Sequence, residues 1–296
     1  MNDLCISIRS LKRATYLKAC LHSLEANVDL DTVDFYLLQD GGINPWSGNE
    51  YAREEEIEES LKVFEESSLP NKTTYQSKWN MGCANQKYHQ LTTLFPRYKY
   101  VVLVDNDLVF NRYYIKTLKV LFEQFKGTPA GSIQTSFRHD GSNFQEGQIA
   151  KMLENKVTSG FSHRWEFGLW RETWNHIRSD LERYFKYVSR CDFKQLIDGS
   201  ARYGDLKELL ELSYGTVHAD EALENCIEWA GYRGLHTLSL RHKTIGKQGI
   251  YSFEKDRFER EGFGKIRLFQ VGNVDKYGFV EPEEIMAGEV EEFSFE

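Results

Sequence analysis

Tyr100-Val101-Val102-Leu103-Val104 is an unbroken apolar run, rich in β-branched residues, that ends directly in Asp105-Asn106-Asp107. A half-exposed strand alternates apolar and polar residues, so a run without alternation reads as a strand covered on both faces. Such strands belong to parallel sheets flanked by helices, whose ligands gather at the carboxyl ends of the strands. The chain ahead of this run supplies the partners. Leu4-Cys5-Ile6-Ser7-Ile8 reads as a strand, followed by a helix with Leu17, Leu21 and Leu24 at i, i+4 and i+7. Val33 to Leu38 reads as a second strand, stopped by Gln39-Asp40-Gly41-Gly42, and the acidic stretch from Arg53 to Glu66 forms a helix with Ile57, Leu61 and Phe64 on one face. Thr73 to Gln76 is a short third strand. The turn Asn80-Met81-Gly82 then opens a helix from about Ala84 to Leu94, which Pro96 closes. The pattern predicts an α/β fold with a mainly parallel central sheet flanked by helices, and the Asp40 and Asp105 to Asp107 turns at the same edge of it.

The second half is less regular. Ser132 to Ser136 and Leu235 to Leu240 read as strands, and Asp205 to Leu212 and Asp220 to Ala230 as helices. Phe161 to Trp174 is dense in aromatics and glycine, and Leu181 to Tyr214 reads as an insertion of aromatics among lysines and arginines that shapes a second binding region. From Tyr251 the chain loses its core pattern and ends acidic. We expect a main domain over 1–250, divided into halves at 1–130 and 131–250, and an appendage over 251–296. The 296 residues carry 45 acidic against 37 basic side chains, a formal charge of -8, which leaves no global positive field for nucleic acid or an anionic membrane. Five scattered cysteines without a C-x-x-C pair disfavour a disulfide framework and a thiolate zinc site. No stretch approaches the ~18 apolar residues of a membrane span, and no signal-like segment opens the chain, so a cytoplasmic protein is expected.

Two carboxylates at i and i+2 just past a buried strand are costly without compensation. A hard cation compensates them: Mg²⁺ or Mn²⁺ takes oxygen ligands, keeps positions open for phosphate oxygens and stabilises charge on a leaving diphosphate. The plainer alternative is a solvated Asp-Asn turn. His242, in Arg241-His242-Lys243-Thr244-Ile245-Gly246-Lys247, reads by itself as a structural or solvated histidine, with Lys243 and Lys247 adding positive charge beside it.

The order of these pieces resembles the GT-A glycosyltransferases, in particular their large inverting, family 2-like group. Ile6-Ser7-Ile8-Arg9-Ser10 and Leu17-Lys18-Ala19-Cys20-Leu21-His22-Ser23-Leu24 look like that group's opening strand and helix. Asp40-Gly41-Gly42 is similar to its second-strand turn, Asn80-Met81-Gly82 to its N-x-G turn, and Asp105-Asn106-Asp107 to its D-x-D. Phe167-Gly168-Leu169-Trp170-Arg171 resembles its acceptor-site strand, and His218-Ala219-Asp220-Glu221 before Gly231-Tyr232-Arg233 its E-D helix start, with Ala219 where a glutamate is expected. The resemblance implies donor binding by Ser7, Arg9, Asp40, Asn80, Gly82, Lys87, Asp105, Asn106 and Lys247. It implies an Mn²⁺ or Mg²⁺ site at Asp105, Asp107 and His242, acceptor contacts at Trp165, Gly168 and Trp170, and a general base at Asp220 or Glu221. The expected substrates are a nucleoside-diphosphate sugar, a UDP-sugar in the first instance, and a hydroxyl acceptor on a glycan, a protein or a hydroxymethylated DNA base, with inversion at the transferred carbon. Two other readings stay open: a haloacid-dehalogenase-like phosphatase, whose D-x-D also follows an apolar strand, and a GT-A domain that binds nucleotide-sugar or glycan without transfer, which Ala219 keeps in play.

Overall fold

The computed structural model describes residues 2–136, 156–161 and 165–246, together with the backbone of 294–295. The first four strands are β1 Leu4–Ser10, β2 Val33–Gln39, β3 Lys72–Gln76 and β4 Tyr100–Asp105. They pair in parallel in the order β3-β2-β1-β4, the order of the first half of a doubly wound sheet. The apolar run at 100–104 is buried throughout, as its lack of alternation requires. It lies between β1 and an antiparallel strand, β8 (Glu166–Trp170), which follows it by sixty residues in sequence.

The sheet continues from β8 through β6 (Ala130–Gln134) and β9 (Arg233–Thr237) to β7 (Lys156–Ser159), and Ser294–Phe295 adds β11 at that end. β6 and β9 run in the direction of β1, whereas β7 and β8 run against it. One sheet therefore passes through both halves of the expected main domain. Of the expected appendage at 251–296, only β11 is described.

Side-chain alternation splits the core between the two faces. Leu4, Ile6 and Ile8 of β1 and Val102 and Val104 of β4 pack with α1 (Ala14–Glu25), α2 (Glu54–Glu65) and α4 (Tyr114–Gln124). Cys5 of β1 and Val101 and Leu103 of β4 pack on the other face with α3 (Gly82–Leu94), α5 (Arg171–Val188), α6 (Phe193–Ile197), α7 (Gly204–Tyr214) and α8 (Ala219–Trp229). The segment read as an insertion, Leu181 to Tyr214, is therefore mostly the helical layer of that second face, with Leu181, Tyr184, Phe185 and Leu210 buried in it. A second, small sheet pairs β5 (Leu108–Phe110) antiparallel with β10 (His242–Thr244), laying the 242–246 segment alongside the D-x-D turn. No helix among the described residues is long and apolar enough to cross a membrane.

Candidate active site

Because β1, β2, β4 and β6 run the same way, their carboxyl ends and the amino end of β8 share one edge of the sheet. Asp105 closes β4 there and faces the end of β1, where Arg9 pairs with it in register. Arg9 Nη2 donates to Asp105 Oδ1 at 2.5 Å. The arginine is buried, and its Nε has no hydrogen-bond partner among the described residues, so a donor stands ready beside Asp105. Asn106 turns inward and donates to the Lys12 carbonyl at 3.0 Å, tying the D-x-D turn to the β1–α1 turn. Arg13, in that turn, donates from Nη1 to Asp107 Oδ2 at 3.0 Å and from Nη2 to Asn106 Oδ1 at 2.9 Å. Burial pushes the Asp107 carboxyl up from its ordinary range, Arg13 pulls it down, and Asp105 adds to the rise.

Lys87 and Asp220 join this cluster from the helical layer. Lys87 projects from α3, whose Gln86 and Gln90 reach back to β1 through the Ser10 carbonyl and Ser7. Its ammonium is buried and forms an ion pair with Asp220 in the first turn of α8. Burial and then Arg9 push Lys87 down to about 7, against the upward pull of Cys83, Asp105 and Glu224. Asp220 keeps 34% of its side chain exposed, so it is held by Lys87 yet open to a ligand. Glu221 is engaged differently: its Oε2 accepts the Thr216 hydroxyl, closing the loop ahead of α8.

Asp40 does not face this opening. It is buried, and its two oxygens accept from Gly41 N at 3.1 Å, Met81 N at 2.8 Å, Gly82 N at 3.1 Å and Asn80 Nδ2 at 3.1 Å. Burial raises its carboxyl to about 7, and the backbone donors of Met81, Gly82 and Gly41 work against the rise. The D-G-G and N-M-G turns thus hold each other: Asp40 satisfies donors at the start of α3, and Asn80 donates back to the Gly41 carbonyl at 3.0 Å. Asp40, Asn80 and Gly82 spend their polar groups on this tie and do not present them to the open edge of the sheet. Gly41 permits the approach, since a Cβ there would lie 2.6 Å from the Trp79 carbonyl carbon. Trp79 itself is 45% exposed on the rim of this turn, a residue that sequence reasoning did not single out. Ser7 is likewise an internal group, bonded to Gln90 Nε2 at 2.6 Å.

The expected acceptor residues divide. Trp165 lies half-buried at the edge, and its carbonyl accepts from Asp105 N at 3.0 Å. Gly168 and Trp170 are core residues of β8. A Cβ on Gly168 would lie 3.0 Å from Phe122 Cζ, and the Trp170 indole donates to the Phe122 carbonyl at 3.1 Å. A strand with neighbours on both sides and helices on both faces has no surface to offer an acceptor.

His242 also stands elsewhere than expected. Its Nδ1 lies 3.1 Å from Thr135 Oγ1 and 3.7 Å from Glu166 Oε2, and its Nε2 lies 3.1 Å from Ser136 Oγ. Both ring nitrogens are thereby occupied by hydroxyls at the end of β6. Glu166, missed by sequence reasoning, is fully buried and accepts from Thr135 N at 2.9 Å and Tyr114 OH at 3.1 Å; burial pushes its carboxyl up to about 7. The residues that reach Asp107 from the 242–246 segment are Ile245, whose N donates to the Asp107 carbonyl at 2.8 Å, and Gly246, whose missing Cβ would fall 2.1 Å from Asp107 Oδ2. Lys247 lies outside the described residues.

The donor chemistry at Asp105 to Asp107 fits a hard cation, being all oxygen, with each carboxylate engaging an arginine through one oxygen. Among the described residues no cluster of three or more histidine, cysteine or acidic side chains could hold a metal. Two carboxylates alone do not make a closed protein cage, so any cation here would need further ligands from outside the described residues.

No family model matches the chain, and no curated protein does. Among solved structures, S. aureus TarS overlaps 64% of this chain at 10% identity and a TM-score of 0.40. TarS 1–349 overlaps 76% of it at 12% identity and a TM-score of 0.43. The overlap spans 33% of the first of those chains and 70% of the second. Likenesses this loose carry no weight for chemistry, which rests on the side chains.

Proposed function

We propose that the chain is a glycosyltransferase that moves a sugar from a nucleoside diphosphate to a hydroxyl acceptor with inversion. The observation that carries this reading is the convergence of Arg9, Lys87, Asp105, Asp107 and Asp220 at the carboxyl ends of parallel strands, drawn together by the Lys87–Asp220 and Arg9–Asp105 ion pairs. One end of that cluster suits a diphosphate: Arg9, whose Nε has no partner among the described residues, Arg13 and Lys87 supply positive charge around the D-x-D turn. Asp105 and Asp107 would hold Mn²⁺ or Mg²⁺, which when bound offsets the charge developing on the leaving diphosphate. The nucleoside then extends along the edge towards β2 and β3, about 5 Å per strand, which brings the base to the Asp40 turn and Trp79.

Asp220 is the better-placed base, because Glu221 is committed to Thr216. In the transfer the acceptor oxygen forms a bond to the sugar's anomeric carbon as the bond to the diphosphate oxygen breaks, the leaving group takes that electron pair, and Asp220 takes the acceptor's proton. Lys87 fixes the Asp220 carboxylate through their ion pair and orients it towards the acceptor hydroxyl. Trp165, half-buried beside the D-x-D turn, is the aromatic side chain we assign to the acceptor. Donor hydrolysis and transfer, followed by release of nucleoside diphosphate from a panel of nucleotide-sugars with Mn²⁺, test the reading. Turnover that falls at least about a hundredfold in Asp220→Asn and persists in Glu221→Gln is expected; equal loss in both, or none in either, would count against Asp220.

A further inference from the structure

Arg13 adopts the left-handed region, φ 74° and ψ 51°, immediately ahead of α1. Long side chains are disfavoured there, and such backbone persists where its surroundings hold it. What holds Arg13 is the D-x-D turn: the guanidinium forks between Asp107 Oδ2 and Asn106 Oδ1, and it lies over the Tyr16 ring with 5.3 Å between the guanidinium carbon and the ring centre. Asn106 returns the contact through the Lys12 carbonyl, so the two turns are locked together around one positive charge. That charge takes Asp107 Oδ2, one of the two oxygens through which this carboxylate could hold a divalent cation. Arg9 differs, being buried at the end of β1, whereas the Arg13 side chain is 29% exposed and can swing outwards.

We propose that Arg13 is the resident counter-ion of Asp107, that a divalent cation binds by displacing it, and that the released guanidinium turns to the diphosphate of the incoming donor. The inference rests on the donor reading above. It implies that the cation alone binds weakly and that cation and nucleoside diphosphate bind with positive coupling, since each favours the state in which Arg13 has left Asp107. In the closed state the pair also protects a buried carboxylate from standing uncompensated.

The test is titration of the full chain with Mn²⁺ alone and then with Mn²⁺ plus uridine diphosphate, in wild type, Arg13→Gln and Arg13→Lys, read by calorimetry and by the paramagnetic signal of free Mn²⁺. Arg13→Gln is expected to bind Mn²⁺ alone about three- to tenfold more tightly than wild type, as removal of one partly screened competing charge allows, with Arg13→Lys between them. The gain in Mn²⁺ affinity conferred by uridine diphosphate should shrink in Arg13→Gln. Binding of Mn²⁺ by Arg13→Gln that is no tighter than wild type overturns the proposal. Should the variants fold poorly, the ¹⁵N resonance of the Arg13 guanidinium in wild type, followed through a Mg²⁺ titration, gives the same answer: a saturating shift supports displacement and a stationary signal refutes it. Absence of Mn²⁺ binding in every form also overturns the proposal. The donor reading fails separately, if uridine diphosphate and other nucleoside diphosphates do not bind under any of these conditions.

Discussion

Replacing Gly246 with alanine places a methyl group against the D-x-D turn. The new Cβ would lie 2.1 Å from Asp107 Oδ2, 2.7 Å from its Cγ and 3.1 Å from its Cβ. An ordinary contact between carbon and oxygen is about 3.3 Å, so the carboxylate has to retreat by more than about 1 Å. It can do so by rotating, because the obstacle is the end of a side chain and not backbone. Rotation breaks the 3.0 Å bond from Arg13 and moves Asp107 out of line with Asp105. A displacement of that size at a reacting centre costs about 10²-fold in rate, or about 2.7 kcal/mol in the barrier. Stability should fall by about 1–3 kcal/mol, since a largely buried carboxylate loses its Arg13 partner while the His242–Thr244 pairing with β5 is untouched. Initial rates of donor turnover and a thermal melt on the same preparation separate the two effects. Wild-type turnover in a folded Gly246→Ala protein would refute the reasoning, because either Gly246 does not cover Asp107 or Asp107 is not at the reacting centre.

Three further outcomes follow from the same geometry. Asp40→Asn turns an amide NH₂ towards Gly82 N and Asn80 Nδ2, leaving two buried donors unmatched; urea unfolding should show a loss of about 2–4 kcal/mol, and a loss below about 0.5 kcal/mol with nucleotide binding abolished would make Asp40 a ligand contact instead. Gly168→Ala should cost about 1–3 kcal/mol through contact with Phe122 and Ile133 while activity per folded molecule stays unchanged, and a selective loss of acceptor affinity would contradict its assignment to the core. Glu166 carries a pH signature: its folded value of about 7 lies above the ordinary 4.5, so the folded chain keeps a proton that the unfolded chain has lost between those values. Its contribution to stability is therefore present below about 4.5 and falls as pH rises through 7, by on the order of 3 kcal/mol in total. The gap between urea midpoints at pH 5 and pH 8 should narrow in Glu166→Gln without closing, because the buried Asp40 carboxyl, also raised to about 7, acts in the same direction; a variant as pH-dependent as wild type would remove Glu166 as a cause.

The parts of this molecule legible in the sequence were those set by local pattern. β1, β2 and β4 announced themselves as apolar runs, α8 as an acid-led helix, and the D-x-D turn by its position at a strand end. Pairings across long sequence separations were hidden. Nothing near Asp40 indicates that the donors it satisfies are forty residues away at Asn80 to Gly82, so a carboxylate that ties two turns reads as one aimed at a ligand. Gly168 and Trp170 read as a binding strand because the insertion of β8 between β4 and β6 is a topological fact with no local signature. Arg13 was missed because a basic residue at a helix start is ordinary. The available clue was that Lys12-Arg13 falls just past the carboxyl end of β1, at the edge where ligands of such sheets gather. Glu166 was missed because an acid beside Trp165 gives no hint of burial, and His242 drew attention to its own ring when the glycine four residues on is the one that meets Asp107.

Calorimetry of uridine diphosphate, with guanosine and cytidine diphosphates alongside, in the presence and absence of Mn²⁺ tests the central claim most directly. The account predicts binding of at least one nucleoside diphosphate that strengthens with the cation and is lost when Asp105 and Asp107 are both changed to Asn. No binding of any of them, or binding indifferent to both carboxylates, would contradict it.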